Sequence, residues 1–393
     1  MSQSTGTTNS MSLWMLMLGN FVIGTGILLP AGLLNDLTAD FGITAARAGL
    51  LLFVGGLVVG IGAPLLAAMT SRIERRTLLV ASLCLYALGH AAAAVAPSFE
   101  LQLFLRAVTV IGAAVFTPQA ASTVGLLVPA EKRASAIAFI FIGWSAASVA
   151  GIPLGTLLSQ AFGWRSVYGL MAGFSLVAAL GVWFTLKPRL YVVPLSLAAW
   201  KETLSSPLLW LVFMVTLLSM SGQFTMFGYI APILRDSFGA SPHMISVMFA
   251  VVGVAGVTGN TIASRVVAQL GIDRVIAVAL LSLCVGFAGF AVFWGQIVPA
   301  LFAAAFWGFG SFSSNSLQQS RLVALAPHLA AATVALNTSV VYLGQSLGSV
   351  AGGRMVDSGQ MTATPFVALA FMSGALVLSL LAERLTRRTV LGS

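Results

Sequence analysis

Arg106 stands in the run LFLRAVTVIGAAVF at 103–116, in a setting apolar enough to dissolve in hydrocarbon. A permanent cation there costs at least ~2.5 kcal/mol and is kept only with a partner, a water-filled cavity or a nearby interface. Carboxylates able to answer it are few. All ten acidic residues fall at the ends of apolar runs or between them, so no acid in mid-run can carry a proton. Asp36 and Asp40 close the first run, and His90 lies within LYALGHAAAA. These three are the titratable candidates, with His90 read as a lipid-side or packing residue ahead of a proton relay.

A second group is neutral. The runs FWGFGSFSSNSLQQSRLV and ATVALNTSVVYLGQSLGS place Asn315, Gln318, Gln319, Asn337, Tyr342 and Gln345 among apolar neighbours. Buried amides and hydroxyls need partners. Bonds between helices would satisfy them; the preferred reading is an aqueous cavity with aromatic walls from Phe224, Phe227, Trp307 and Phe312. Such a lining suits a neutral, hydrogen-bonding or partly aromatic solute. Asn337 and Gln345, eight residues apart, are expected on roughly one helix face.

Other chemistry finds no support. The runs contain no HExxH, no GxSxG and no paired carboxylates, so an enzyme is not expected. Cys84 and Cys284 lie in apolar runs without CxxC or Cys/His spacing, and read as packing. Met11/Met15 and Met244/Met248, with His243, have a spacing open to a soft metal, but fourteen methionines make such pairs unremarkable. No metal and no cofactor is expected.

The elements that must position these residues are membrane helices. Of 393 residues, 59% are hydrophobic and 7% charged, against roughly 25% charged in a soluble domain. Apolar runs near 13–33, 47–69, 77–96, 100–126, 134–161, 164–186, 207–233, 243–267, 275–295, 297–323, 330–356 and 361–383 predict twelve helices that span a bilayer. The first is read as an uncleaved span. The pI of about 10.4 reflects small clusters between runs, not a nucleic-acid face. With the N-terminus placed in the cytoplasm, 14 Lys and Arg fall inside and 4 outside, which puts both termini in the cytoplasm.

The chain also repeats itself. A shift of 197 brings DFGIT at 40–44 onto SFGAS at 237–241, Gly62 onto Gly259, Gly151 onto Gly348 and Gly155 onto Gly352. Duplication of a six-helix unit predicts a bundle at 1–186, a linker at 187–206 ending in a short amphipathic piece, and a bundle at 207–393. Two parallel halves of this kind build a transporter with its site between them near mid-membrane.

Three stretches carry a family resemblance. IGAPLLAAMTSRIERRTLL resembles the cytoplasmic signature of the major facilitator superfamily, Gly-x-Leu-Ala-Asp-Arg-x-Gly-Arg-Arg. Arg72, Arg75 and Arg76 match, Ser71 replaces the Asp, and Glu74 is the candidate to substitute for that acid from a different position. GWSAASVAGIPLGTLLSQAFGWRSVY resembles the Gly-Pro-rich antiporter signature through Gly151 and Gly155, with Pro153 one position late as the helix breaker. Small residues at spacing four let helix backbones touch, and a proline makes a helix bendable. The third is Arg-x-x-Gln-Gly-x-Gly-Ala-Ala, matched by Arg106, Gly112, Ala113 and Ala114. The branch that the chain most resembles is the bacterial twelve-span drug:proton antiporters, near the arabinose-efflux and purine-efflux permeases.

The resemblance implies an all-α membrane protein, twelve transmembrane helices in two pseudo-symmetric six-helix bundles, in the bacterial inner membrane and monomeric. It implies a secondary transporter exporting a small organic solute (drug, sugar or nucleobase-like) by alternating access, in exchange for protons. The branch often carries an acid four residues before a proline of the first span, and the residue four before Pro30 is Gly26. An uncoupled facilitator or importer therefore stays open, as does a non-transporting receptor. Because the fourth span lines the cavity in this family, Arg106 is expected to face it and pair with Asp36, Asp40 or solute during part of the cycle. It starts seven positions in from Phe99, about 10 Å deep, so snorkelling to the interface and a static pair are the alternatives.

Overall fold

The computed structural model describes residues 4–187, 190–191 and 197–391. Arg189 and most of the 187–196 segment, predicted as linker, lie outside the described residues. Among those described the regular elements are helical, as a lipid-embedded backbone requires: only helices, or closed barrels, satisfy every N–H and C=O without water.

The first half comprises α1 (Ser4–Gly32), a short α2 (Leu34–Phe41), α3 (Ala45–Met69), α4 (Arg75–Ala94) and α5 (Phe99–Leu127). Then α6 (Arg133–Ala146) runs through a π-turn at Ala147–Gly151 into α7 (Ile152–Phe162), and α8 (Trp164–Thr185) follows. A linker helix, α9 (Leu197–Ser205), leads to the second half: α10 (Pro207–Phe227), a short α11 (Ile230–Phe238), α12 (Pro242–Leu270), α13 (Ile272–Val292), α14 (Ile297–Leu325), α15 (Ala330–Asp357) and α16 (Thr364–Leu391). Eleven spans among the described residues are long and apolar enough to cross a bilayer. The twelfth of the fold is α15, long enough at 28 residues, but diluted by Asn337, Gln345 and several serines.

The duplication is visible in the helix ends. Arg75 opens α4 and Ile272 opens α13, 197 positions on. Gly42 ends α2 at φ 62 and Gly239 ends α11 at φ 61, both left-handed, a conformation that glycine adopts without a Cβ clash. Two residues later Thr44 caps α3 and Ser241 caps α12, accepting from the N–H of Arg47 and Met244. The match of DFGIT onto SFGAS is this stop-and-start turn, used twice. The seventh apolar run, expected over 207–233, breaks at Gly228–Tyr229 into α10 and α11, as the first run breaks between α1 and α2.

One end of the molecule carries the start of α1, the end of α16 and α9; the other carries α2 and α11. The halves meet where α3 packs on α15, where α7 and the π-turn pack on α12, and where α11 reaches α1 and α2.

Candidate functional site

Arg106 is 4% exposed, which excludes snorkelling. Its guanidinium donates to three main-chain carbonyls: Nη1 to Gly26 O at 2.7 Å, Nη2 to Ile27 O at 2.7 Å and Nε to Leu51 O at 3.2 Å. The expected carboxylate partners are engaged elsewhere. Asp36 Oδ2 accepts from Ser159 Oγ at 2.5 Å, and Asp40 Oδ2 accepts from Arg165 Nη1 at 2.7 Å. His90 is buried, not lipid-facing; its Nδ1 lies 2.9 Å from Tyr86 O. A side chain at Gly26 would collide with Tyr86 Oη and the His90 ring, so these fill the place of the absent acid.

In the second half the amides gather between α10, α14 and α15. Thr216 Oγ1 donates to Asn337 Oδ1 at 2.8 Å, and Ser311 Oγ donates to Gln223 Oε1 at 2.5 Å. Asn315 Oδ1, Asn337 Nδ2 and both amide atoms of Gln318 are buried without a protein partner. A cavity of about 10 Å³, lined by Thr216, Ser219, Met220, Ser314, Asn315 and Gln318 and closed by Leu280, lies among them. That is room for about one water molecule. Polar groups left this way cost ~1–3 kcal/mol each.

The other expected lining residues divide. Phe224 and Phe227 stack at 5.4 Å, and Phe227 meets Trp307 at 6.1 Å. Trp307 is 1% exposed and also meets Phe287 and Phe290 of α13, so it belongs to the core of the second half, not to a cavity wall. Phe312 packs over Gly256 of α12. Asn337 and Gln345 do not act together: Asn337 turns to α10, whereas Gln345 Nε2 donates across the halves to Leu52 O at 3.3 Å. An eight-residue step turns a helix by about 80°, enough to separate two neighbours. Tyr342 reaches into the first half, its ring against Val59, Ala63, Val110 and Ala114.

The seam itself was missed in the sequence. Ser346 Oγ donates to Phe53 O at 2.9 Å, and Ser246 Oγ to Pro153 O at 3.3 Å. A Cβ on Gly56 would fall 2.6 Å from Tyr342 O, and one on Gly253 2.7 Å from Ser148 O. These glycines let the halves touch. Gly151 and Gly155, expected at the hinge, instead press on Thr25 and Leu29 of α1 within their own half. Their counterparts Gly348 and Gly352 press likewise on α10. Glycines at spacing four were a legible signal, but which helix they admit was not.

The sequence profile of the Major Facilitator Superfamily matches residues 16–349. The chain belongs to that superfamily. It is similar to the inner membrane transport protein YdhP of Escherichia coli (strain K12), 26% identical over 88% of both chains. A probable sugar efflux transporter of Helicobacter pylori (strain G27) is 28% identical, again over 88% of both. In fold it resembles the crystal structure of a bacterial homolog to the human lysosomal transporter Spinster, with TM-score 0.77, 17% identity and 98% of each chain covered. The protein is thus a multi-pass membrane transporter with the major facilitator fold.

The superfamily's loop signature takes an altered form here. Glu74 does not replace the missing aspartate; it caps α4, accepting from the N–H of Arg76 at 3.1 Å and of Thr77 at 2.8 Å. Burial pushes its carboxyl up, but bonds from Thr77, Arg76 and the Leu190 N–H outweigh this and hold it below its ordinary value. Arg75 is buried and donates to Gln119 Oε1 of α5 at 2.7 Å. Arg76 stacks 4.4 Å over Trp183, and Arg72 is exposed. An amide on α5 thus receives the buried arginine.

Proposed function

We propose that this transporter exports a small neutral organic solute rich in hydrogen-bonding groups, of sugar or nucleobase-like kind, by alternating access. The observation that carries this is the set of buried, unpartnered amide atoms on Asn315, Gln318 and Asn337. Neutral buried amides favour hydroxyls and carbonyls over a net charge. The sugar efflux name of the Helicobacter relative supports the same class. The charge count of the loops supports both termini in the cytoplasm, and the inner membrane transport protein of Escherichia coli supports a bacterial inner membrane.

The moving bodies are the halves 1–186 and 207–393, joined by 187–206. Hydrogen bonds from Gln345, Ser346 and Ser246 cross the seam towards the α2/α11 end, which supports a state closed on that side. Proton exchange is assigned to the outer carboxylates. Asp36 accepts from Ser159 of α7, which makes it the carboxylate proposed for coupling. An uncoupled facilitator is the second reading, favoured because the mid-membrane cation is answered by carbonyls, not by an acid.

Counterflow of labelled pentoses and nucleobases in proteoliposomes tests transport, and an imposed pH gradient tests coupling. Accumulation against solute only when a pH gradient is present supports the antiporter. Exchange that ignores the gradient selects the facilitator, and no exchange of any neutral solute sinks the substrate class.

A further inference from the structure

Pro30 lies inside α1, and a proline has no N–H to offer the carbonyl four residues back. That carbonyl belongs to Gly26. In hydrocarbon it has no water to turn to, and an unpaired carbonyl there is costly. Arg106 Nη1 donates to it at 2.7 Å. The same guanidinium reaches Ile27 O, the next carbonyl, and Leu51 O on α3. Tyr86 Oη adds a bond to Ile23 O at 3.1 Å, one turn earlier. The interrupted turn of α1 is therefore lined by side-chain donors from α4 and α5.

The surroundings are built for this fork. A Cβ on Gly55 would stand 3.0 Å from Nη2 and 3.2 Å from Nε, so the bare glycine leaves the guanidinium its place over α3. Gly26 likewise leaves room for Tyr86 and His90. A planar group with several donors in fixed directions can serve two helices at once, which a lysine ammonium on one flexible stem cannot do equally well.

We propose that Arg106 is a positioning residue that supplies the hydrogen bond Pro30 removes, holding the broken turn of α1 to α3. Its cation is satisfied by carbonyl dipoles, and its contribution to transport runs through the shape of α1. The need for Arg106 is thus created by Pro30.

Hydrogen–deuterium exchange of the full chain in nanodiscs, without solute, tests this with Arg106→Leu, Pro30→Ala and the double variant. In Arg106→Leu, peptides covering residues 20–33 are expected to exchange about ten-fold faster or more, since a charge-assisted bond is lost. In the double variant the N–H restored at position 30 donates to Gly26 O, and exchange there returns to within about two-fold of Pro30→Ala alone. Unchanged exchange in Arg106→Leu overturns the proposal. So does a double variant as unprotected as Arg106→Leu. Where Arg106→Leu does not accumulate in the membrane, accumulation in the Pro30→Ala background is the readout: recovery supports the clamp, and continued loss overturns it.

Discussion

The two halves repeat one unit but distribute their buried polarity differently. The first half buries a full charge and answers it: all three nitrogens of Arg106 donate to carbonyls. Unpartnered amide atoms occur in both halves, but those of Asn20, Asn35 and Gln102 lie on three different helices of the first, whereas Asn315 and Gln318 of the second line one small cavity. The α9 end shows a related contrast. Arg75 of α4 bonds to neutral Gln119, whereas in the repeat Asp273 of α13 pairs with buried Arg321 at 3.0 Å, helped by Ser379. A charge in a low-dielectric interior cannot wait for a partner, because desolvation costs too much. An amide can wait at a cost of ~1–3 kcal/mol. The comparison supports the proposed division of labour: structure on the bonded cation Arg106, solute recognition on the amides that line the cavity.

The sharpest way to break this is a pair of substitutions. Arg106→Leu should lower stability in detergent by about 2 kcal/mol or more, through the stranded Gly26 carbonyl. Gln318→Leu should leave stability nearly unchanged or raise it, while impairing transport. Thermal unfolding of both variants beside counterflow would show it, and a reversed order ends the division of labour drawn above.

Next in size is the seam. Gly56→Leu or Gly253→Leu forces a side chain into backbone of the other half, an overpacking worth about 1–3 kcal/mol. Spin-label distances across the α2/α11 end should lengthen, and the closed state should be lost. Gly151→Leu, pressing on α1 inside one bundle, should destabilise that bundle without this bias. Equal distance distributions in all three variants would dissolve the distinction between seam and bundle glycines.

Asn337→Ala and Gln318→Ala should each weaken solute binding by roughly ten-fold, the worth of one good hydrogen bond, with folding preserved. If affinity in purified protein is unmoved in both, the amides return to packing. Gln345→Ala removes one seam bond to Leu52 O, and should shift the closed–open equilibrium by roughly five-fold or less. The same distance measurements read it.

The smallest effect is at Glu74. Its folded value is depressed below the ordinary 4.5, so its stabilisation is complete above that pH and fades as pH falls through the lower folded value. Acid unfolding of wild type and Glu74→Gln should differ near neutrality and converge in strong acid. A difference that grows on acidification contradicts the cap.

Much of the fold was legible because lipid imposes it. Run length gave the spans, and the 197-residue shift gave the duplication, later seen as the same glycine stop and hydroxyl cap on each side. Arg106 was legible as a residue with a problem, and the amides of α14 and α15 as residues out of place. Their partners were not legible. The acceptors of Arg106 are main-chain carbonyls, which every residue possesses, so no letter in the sequence marks them. Asn337 and Gln345 share a helix but look at different neighbours, a matter of helix rotation that periodicity alone leaves open. Trp307 entered the core for the same reason.

By itself, then, the sequence determined which segments cross the membrane, that the chain is two copies of one unit, and which polar groups must find company there. These follow from local composition, since each segment's transfer into lipid depends on its own residues. Only the tertiary structure decided who answers whom. Arg106 took the carbonyl freed by Pro30, and Glu74 took its own helix N-terminus. The touching glycines proved to be Gly56 and Gly253 at the seam, with Gly151 kept inside its bundle. Hydrogen bonds and close packing depend on distances of a few tenths of an ångström between segments far apart in the chain, and those distances exist only once the helices have packed.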